Sequence, residues 1–130
     1  MPVRIDGIER TIQFVEEVGT SVVLGTAIEA ASLMKELTPV LTGYAMNSWI
    51  VTPDKDDVGM VGANTDVVGT GLFAQFGLGQ TIYINNGAEY IVPLEYGHSA
   101  QAPQGMVAVT LPVVPELAKD QLDDFLKARG

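Results

Sequence analysis

Apolar residues recur at a spacing of three and four along the first third of the chain, as they do on one face of a helix. They occupy Ile8, Ile12, Val15, Val18, Val22, Ala27, Ala31, Met34 and Leu37. This pattern predicts one long helix from Ile8 to Leu37. Asp6 is a candidate N-cap because Glu9 follows three residues later, as in a capping box. The helix is expected to end before Pro39, since the residue preceding a proline is pushed toward extended geometry.

The predicted helix is long for so short a chain. A straight helix of this length spans ~45 Å, so we expect one of its ends to project toward a neighbouring molecule. Gly19 and Gly25 flank a β-branched stretch in its middle. Glycine and β-branched residues lower helix stability, so this part is expected to be weak or bent.

The middle of the chain predicts strands. Met46 to Thr52 is rich in residues that favour β-structure. A polar turn, Pro53 to Asp57, follows, and Val58 to Ala63 is interpreted as the returning strand of a hairpin. Thr81 to Asn85 alternates two faces as a strand does, and Asn86-Gly87 favours a turn.

The remaining segments allow more than one interpretation. The Gly-rich connector, residues 64–79, contains either a short helix near Leu72 to Phe76 or an ordered loop. Ala88 to Tyr96 is a strand broken at Pro93 or a short helix, and Met106 to Leu111 is a strand or the start of the last helix. Glu116 to Ala128 is amphipathic and predicts a closing helix. We therefore predict a single α+β domain over residues 1–130, with a long N-terminal helix and a C-terminal helix packed on a small, mainly antiparallel β-sheet.

Composition narrows the possible functions. The 130 residues carry a formal net charge of −9, which disfavours tight binding to the phosphates of nucleic acid. No run of ~18 apolar residues occurs, so no membrane span is expected, and no secretory leader is expected from the first ten residues. There is no Cys, which excludes disulfides and thiol catalysis. Only 18% of residues are charged. A fraction this low is expected either of a chain with a well-filled core or of a chain whose surface is partly buried against other subunits.

The residues that suggest chemistry lack the partners that chemistry needs. His98 is the only His, with Glu95 and Ser99 beside it, but nothing places a nucleophile and an orienting carboxylate around it. A zinc site would need further His or Cys ligands. The acidic stretch at Asp54 and Asp56 has Gly at the sixth position of a calcium loop, but Thr65 replaces the required Glu at the twelfth. No catalytic residue, metal or cofactor is predicted.

Several short motifs occur in a fixed order. They are Thr38-Pro39-Val40-Leu41-Thr42-Gly43, Asn47-Ser48-Trp49, Tyr90, Leu94-Glu95-Tyr96-Gly97-His98-Ser99 and Ala102-Pro103-Gln104-Gly105-Met106-Val107. This succession resembles the tail-completion, or neck, proteins of tailed bacteriophages, and the resemblance covers most of the chain. Relatives commonly have a basic residue shortly after Gly-Met-Val, where this chain has Ala108. Pro112 and Pro115 also interrupt the expected start of the last helix.

The resemblance implies a structural virion protein, made in the bacterial cytoplasm and placed at the head–tail junction. It implies an α+β fold, no catalysis, and a ring of identical subunits, six-fold in symmetry, through which DNA passes without specific binding. The implied partners are the connector or adaptor proteins on one side and the tail tube or terminator on the other. An acidic lumen that repels the DNA backbone would suit such a ring.

Two segments are the candidate interfaces with neighbouring proteins. The first is the loop from Glu95 to Met106, and the second is the tip of the predicted hairpin. Their residues are Glu95, Tyr96, Gly97, His98, Ser99, Pro103, Met106, Asp54, Lys55 and Asp56. One alternative function is a tail terminator. Another, of a different class, is a small ligand-binding or enzymatic domain that uses His98 and Glu95.

Overall fold

The computed structural model describes residues 6–40, 43–89, 91–96 and 104–129. Its first element is the helix α1, Asp6–Leu37, of 32 residues. The predicted long helix is thus confirmed, and Asp6 lies inside it, at the first described position. Gly19 and Gly25 allow other side chains to pack closely against α1. A Cβ on Gly19 would come within 2.9 Å of Leu78 Cδ1, and one on Gly25 would overlap Gln121.

The end of α1 is tied to the next element by a buried hydroxyl. Thr38 Oγ1 donates a hydrogen bond to the Met34 carbonyl at 2.6 Å and accepts one from Trp49 Nε1 at 2.7 Å. Thr38 and Trp49 are both buried. Because an unpaired indole N–H in the core costs free energy, this bond positions Trp49 against the helix end.

The sheet has two strands in the described part of the chain. A 3-10 turn, Met46–Ser48, leads into β1, Trp49–Thr52, which pairs antiparallel with β2, Tyr83–Asn86. Trp49 lies opposite Asn86, and Thr52 lies opposite Tyr83. The first predicted strand is therefore shorter than expected, and the second is displaced by two residues at its start.

The predicted hairpin partner, Val58 to Ala63, is wrong. These residues form turns and extended loop without strand pairing. Gly59 and Gly62 have φ angles of +60° and +81°, which no β-strand accommodates. The second neighbour of β1 comes instead from Val68, which forms a parallel bridge with Val51. Gly69 allows this approach, because a Cβ there would lie 2.6 Å from the Val51 carbonyl oxygen.

The rest of the described chain is helical or looped. Short helices α2, Leu72–Gln75, and α3, Ile91–Glu95, resolve two of the open alternatives in favour of helix. After α3 come α4, Val107–Thr110, a 3-10 turn at Leu111–Val113, and α5, Val114–Arg129. The open alternative for Met106 to Leu111 is thus also resolved in favour of helix, ahead of the predicted closing helix at Glu116. Pro112 and Pro115 each remove a backbone donor, and the turn that contains Pro112 adopts 3-10 geometry rather than ending the run.

α1 packs against α5 and across β1. Between the helices, Gln121 Nε2 donates a hydrogen bond to Glu29 Oε1 at 2.7 Å. The core lies where α1, β1, the Val67 segment, α2 and α4 meet, and its buried side chains are Leu24, Ala27, Ala31, Met34, Trp49, Val51, Val67, Leu72, Phe76 and Met106. The predicted α+β architecture, with two terminal helices and a small antiparallel sheet, is confirmed.

Candidate interaction site

Glu95, the last residue of α3, closes the base of the predicted docking loop. One carboxylate oxygen, Oε1, accepts hydrogen bonds from the backbone N–H groups of Met106 and Val107, both at 2.8 Å. The other, Oε2, accepts one from Ala108 at 2.9 Å. The first N–H groups of a helix have no partner within it, so a side chain from another element caps α4.

Gly105 makes this arrangement possible. It has a φ angle of +83°, a conformation that glycine adopts without strain. A Cβ at Gly105 would collide with the Glu95 carbonyl oxygen and lie 2.6 Å from Glu95 Oε2. The Gly-Met-Val motif and the Glu of Leu-Glu-Tyr-Gly therefore form one structural unit across eleven residues of chain.

Two predicted contact residues of this loop have other roles. Met106 is 0% exposed and belongs to the core, so its assignment to an interface was wrong. Glu95 has both carboxylate oxygens engaged by backbone donors, which makes it a structural cap. Tyr96, by contrast, is 77% exposed, as a residue available to a partner must be. Gly97, His98, Ser99 and Pro103 lie outside the described residues.

The second predicted segment is an exposed turn. Asp54, Lys55 and Asp56 are all exposed. Asp54 Oδ1 accepts a hydrogen bond from the Asp56 N–H at 2.9 Å, an Asx turn that rigidifies the backbone. These three residues are exposed, as a contact with a partner requires. The turn, however, leads into a loop rather than a second strand.

Sequence reasoning missed the roles of two asparagines in β2, of which Asn85 holds this turn. Asn85 Nδ2 donates hydrogen bonds to the carbonyls of Asp54 and Asp57, at 3.1 and 2.8 Å. Asn86 Nδ2 donates to the Ala45 carbonyl at 2.9 Å. Asn-Asn-Gly favours a turn locally, and that signal masked the long-range role of both amides. Two adjacent Asn residues at a strand end were the available hint, since buried amides seek backbone partners.

Two adjacent motif residues, Ser48 and Trp49, form buried hydrogen bonds. Ser48 is buried, and its hydroxyl donates to the Tyr44 carbonyl and accepts from the Gly62 N–H, both at 2.7 Å. Trp49 binds Thr38, as described above. These hydrogen bonds stabilise the fold.

The described residues offer no assembled site for metal chemistry. Among them, no three His, Cys, Asp or Glu side chains lie close enough to hold a metal ion. No helix in the described part of the chain has the length and apolar character needed to cross a membrane.

Many large apolar side chains are exposed on the described surface. They are Ile8, Ile12, Phe14, Val15, Val40, Tyr44, Met60, Phe73, Leu78, Val92, Tyr96, Val109, Leu111, Val113 and Leu126. Tyr96 directly follows α3, and its backbone N–H donates a hydrogen bond to the Val92 carbonyl at 3.2 Å, so these two residues, four apart, lie on one face. Exposed apolar side chains on one face are available for contact with another protein.

Comparison with protein-family models, with curated proteins and with solved structures found no match to this chain.

Proposed function

We propose that this chain is a structural protein of the neck, or tail-completion, type. In this role it forms a ring between the connector and the tail of a bacteriophage particle. The observation that carries the proposal is the ordered motif set, whose separated parts interact in the folded chain. Glu95 caps the Gly105-Met106-Val107 motif, and Thr38 binds Trp49. Because these motifs contact each other, we treat the motif set as the signature of one fold rather than as unrelated short matches.

The surface supports an assembled state. Many large apolar side chains are exposed, on α1, on α3 and around α4. A soluble protein ordinarily keeps such side chains scattered or covered. In a ring, each subunit covers part of its two neighbours, and closed symmetry gives every subunit the same protection.

The charge distribution supports passage of DNA without adhesion. Glu116, Asp120 and Asp123 are exposed on α5 at spacings of four and three, so they share a face. Lys127 extends that face at its C-terminal end. We propose that this face of α5 lines the lumen, where an acidic wall repels phosphates. A ring structure with a neutral or basic lumen would contradict this part of the proposal.

The test of function is to image particles assembled without this protein. The expected result is full heads that lack joined tails, with joining restored when the protein is supplied in trans. Normal infectious particles would overturn the proposal. Complete heads that carry tails of uncontrolled length would instead assign the chain to the tail terminator, which ends tube polymerisation.

A further inference from the structure

The first three turns of α1, residues 6–17, are called the arm. Every side chain from Gly7 to Glu17 is exposed, and burial begins only at Val18. At a rise of 1.5 Å per residue, the arm is ~18 Å of helix. Helices in proteins owe most of their stability to packing of an apolar face, and the apolar residues Ile8, Ile12 and Val15 of this arm are exposed.

The arm presents an apolar stripe. Ile8, Ile12 and Val15 are between 51% and 57% exposed, and their spacing of four and three places them on one face. This is the pattern of anchors with which an amphipathic helix binds a groove.

The same chain contains a groove of matching character, which we call the α1–α5 groove. It has a volume of about 350 Å³. Its lining residues are Val22, Val23, Thr26, Ala27, Ala30, Met34, Ile82, Ile84, Leu111, Val114 and Ala118. All of them are apolar except Thr26.

Thr26 is the one polar residue in the lining of the groove. Its Oγ1 atom is buried and has no hydrogen-bond partner within the described chain. Buried hydroxyls in proteins nearly always have a partner. The groove side of α1 therefore carries an unsatisfied hydroxyl in the described chain.

The arm cannot fill the groove of its own chain, because both belong to one helix. At 100° per residue, Ile8, Ile12 and Val15 share a face with Val22 and Thr26, so the stripe runs along α1 into the groove. The exposed part of the stripe can be covered only by another molecule.

We propose that the arm of one copy binds in the α1–α5 groove of the next copy, with Ile8, Ile12 and Val15 as its apolar contacts. This inference rests on the ring proposed above and identifies the contact that joins its subunits. The arm and the groove are different surfaces, so the contact is head-to-tail. Such contacts propagate and close into a ring when the rotation allows.

The accessible area is large for a chain of this mass. The chain exposes 8290 Å², about a quarter more than the roughly 6,600 Å² expected for a compact monomer of 13.8 kDa. A stable protein contact removes roughly 800 Å² from each partner. A ring subunit makes two such contacts, one through its arm and one through its groove.

Disulfide trapping tests the contact directly. Because the chain has no Cys, Ile12→Cys and Leu111→Cys can be introduced together at two exposed positions. Within one copy they cannot pair: Ile12 is ten residues, or ~15 Å of helix, before Val22, the nearest α1 residue of the groove, and a disulfide needs Cα atoms within ~7 Å. Oxidation at high protein concentration is expected to yield a ladder of trimers and larger species on a non-reducing gel.

The single variants are the matched controls. A mixture of Ile12→Cys chains and Leu111→Cys chains is expected to give dimers only, and each alone to give none. No cross-linked species from the double variant would overturn the proposal. So would efficient dimers from Ile12→Cys alone, since the arms would then pair with each other.

A second measurement separates contact from folding. Ile12→Glu places a charge in the stripe and is expected to weaken self-association at least about tenfold, measured by sedimentation. Gln13→Glu adds the same charge about 130° around the helix from the centre of the stripe. This variant is expected to leave association unchanged. Both variants should retain the thermal midpoint of the monomer. Equal effects of the two substitutions would overturn the proposal.

The outcomes also separate this contact from the function proposed above. Cross-links together with normal particles made without the protein would retain the contact and reject the neck role. Tail-less heads together with no cross-links would retain the neck role and reject the contact. A small apolar molecule held in the groove of a monomer, detected by native mass spectrometry, would reject the contact as well, because the groove volume also suits such a ligand.

Discussion

Two threonines on or just after α1 have the same chemistry but opposite surroundings. Thr38 Oγ1 is fully used, donating to Met34 and accepting from Trp49. Thr26 Oγ1 is buried without a hydrogen-bond partner in the described part of the chain. Because burial of a hydroxyl is favourable only when it is hydrogen-bonded, the same Thr→Val substitution should change stability in opposite directions at the two positions.

Thr38→Val is expected to destabilise the fold by about 2 kcal/mol, because it leaves the buried Trp49 indole N–H unpaired. Urea unfolding followed by the fluorescence of Trp49, the only Trp in the chain, measures the free energy of unfolding. A loss below about 0.5 kcal/mol would show that the indole finds another partner.

Thr26→Val is expected to stabilise the monomer by about 1 kcal/mol, since it removes a hydroxyl whose burial is uncompensated. The same unfolding experiment on dilute protein measures it, and Thr38→Val serves as the opposing control. A clear loss of stability at this position would mean that the hydroxyl is satisfied in solution.

At the scale of elements, the closing helical run depends on a cap from another part of the chain. Glu95 accepts three backbone hydrogen bonds at the start of α4. A carboxylate at a helix start also interacts favourably with the helix dipole. Glu95 thereby ties the end of α3 to the start of α4.

Glu95→Ala is expected to lower the free energy of unfolding by about 2 kcal/mol, since several donors lose a charged acceptor. Glu89→Ala removes an exposed carboxylate of the same type a few residues away and should have little effect. Hydrogen exchange at Met106 and Val107 should accelerate only in the Glu95 variant. Equal stability of the two variants would contradict the capping role.

Prediction of elements succeeded where the signal was local. Ile8 to Leu37 showed helical periodicity, and α1 follows it almost to the residue. Val58 to Ala63 looked like a strand by composition, but its glycines have positive φ angles. The hydrogen-bond partners of Asn85 in β2 were not predicted either. They lie about thirty positions away along the chain, and no local sequence pattern indicates which residues meet at that separation.

At the scale of the whole molecule, charge and apolar surface act against each other. The formal charge of −9 per chain makes copies repel, while the exposed stripe of the arm and the α1–α5 groove favour their contact. Both terms are properties of the complete surface rather than of one residue. The balance between them should therefore depend on ionic strength.

Raising the salt concentration from about 0.05 to 0.5 M is expected to strengthen self-association, because it shortens the screening length to a few ångströms and removes the repulsion. Sedimentation velocity at matched protein concentrations measures the effect. Weaker association at high salt would indicate that ion pairs, rather than apolar contacts, hold the copies together.

The sequence by itself determined the two long helices, the α+β class, the acidic surface and the motif order, because each depends on neighbouring residues or on composition. It also marked Asp54, Lys55, Asp56 and Tyr96 as surface positions. Only the tertiary structure decided that Met106 is core, that Glu95 is a cap, and that β1 pairs with β2. These outcomes depend on contacts between residues that are distant along the chain. Which segments meet is selected by the packing free energy of the whole fold, and no local pattern encodes it.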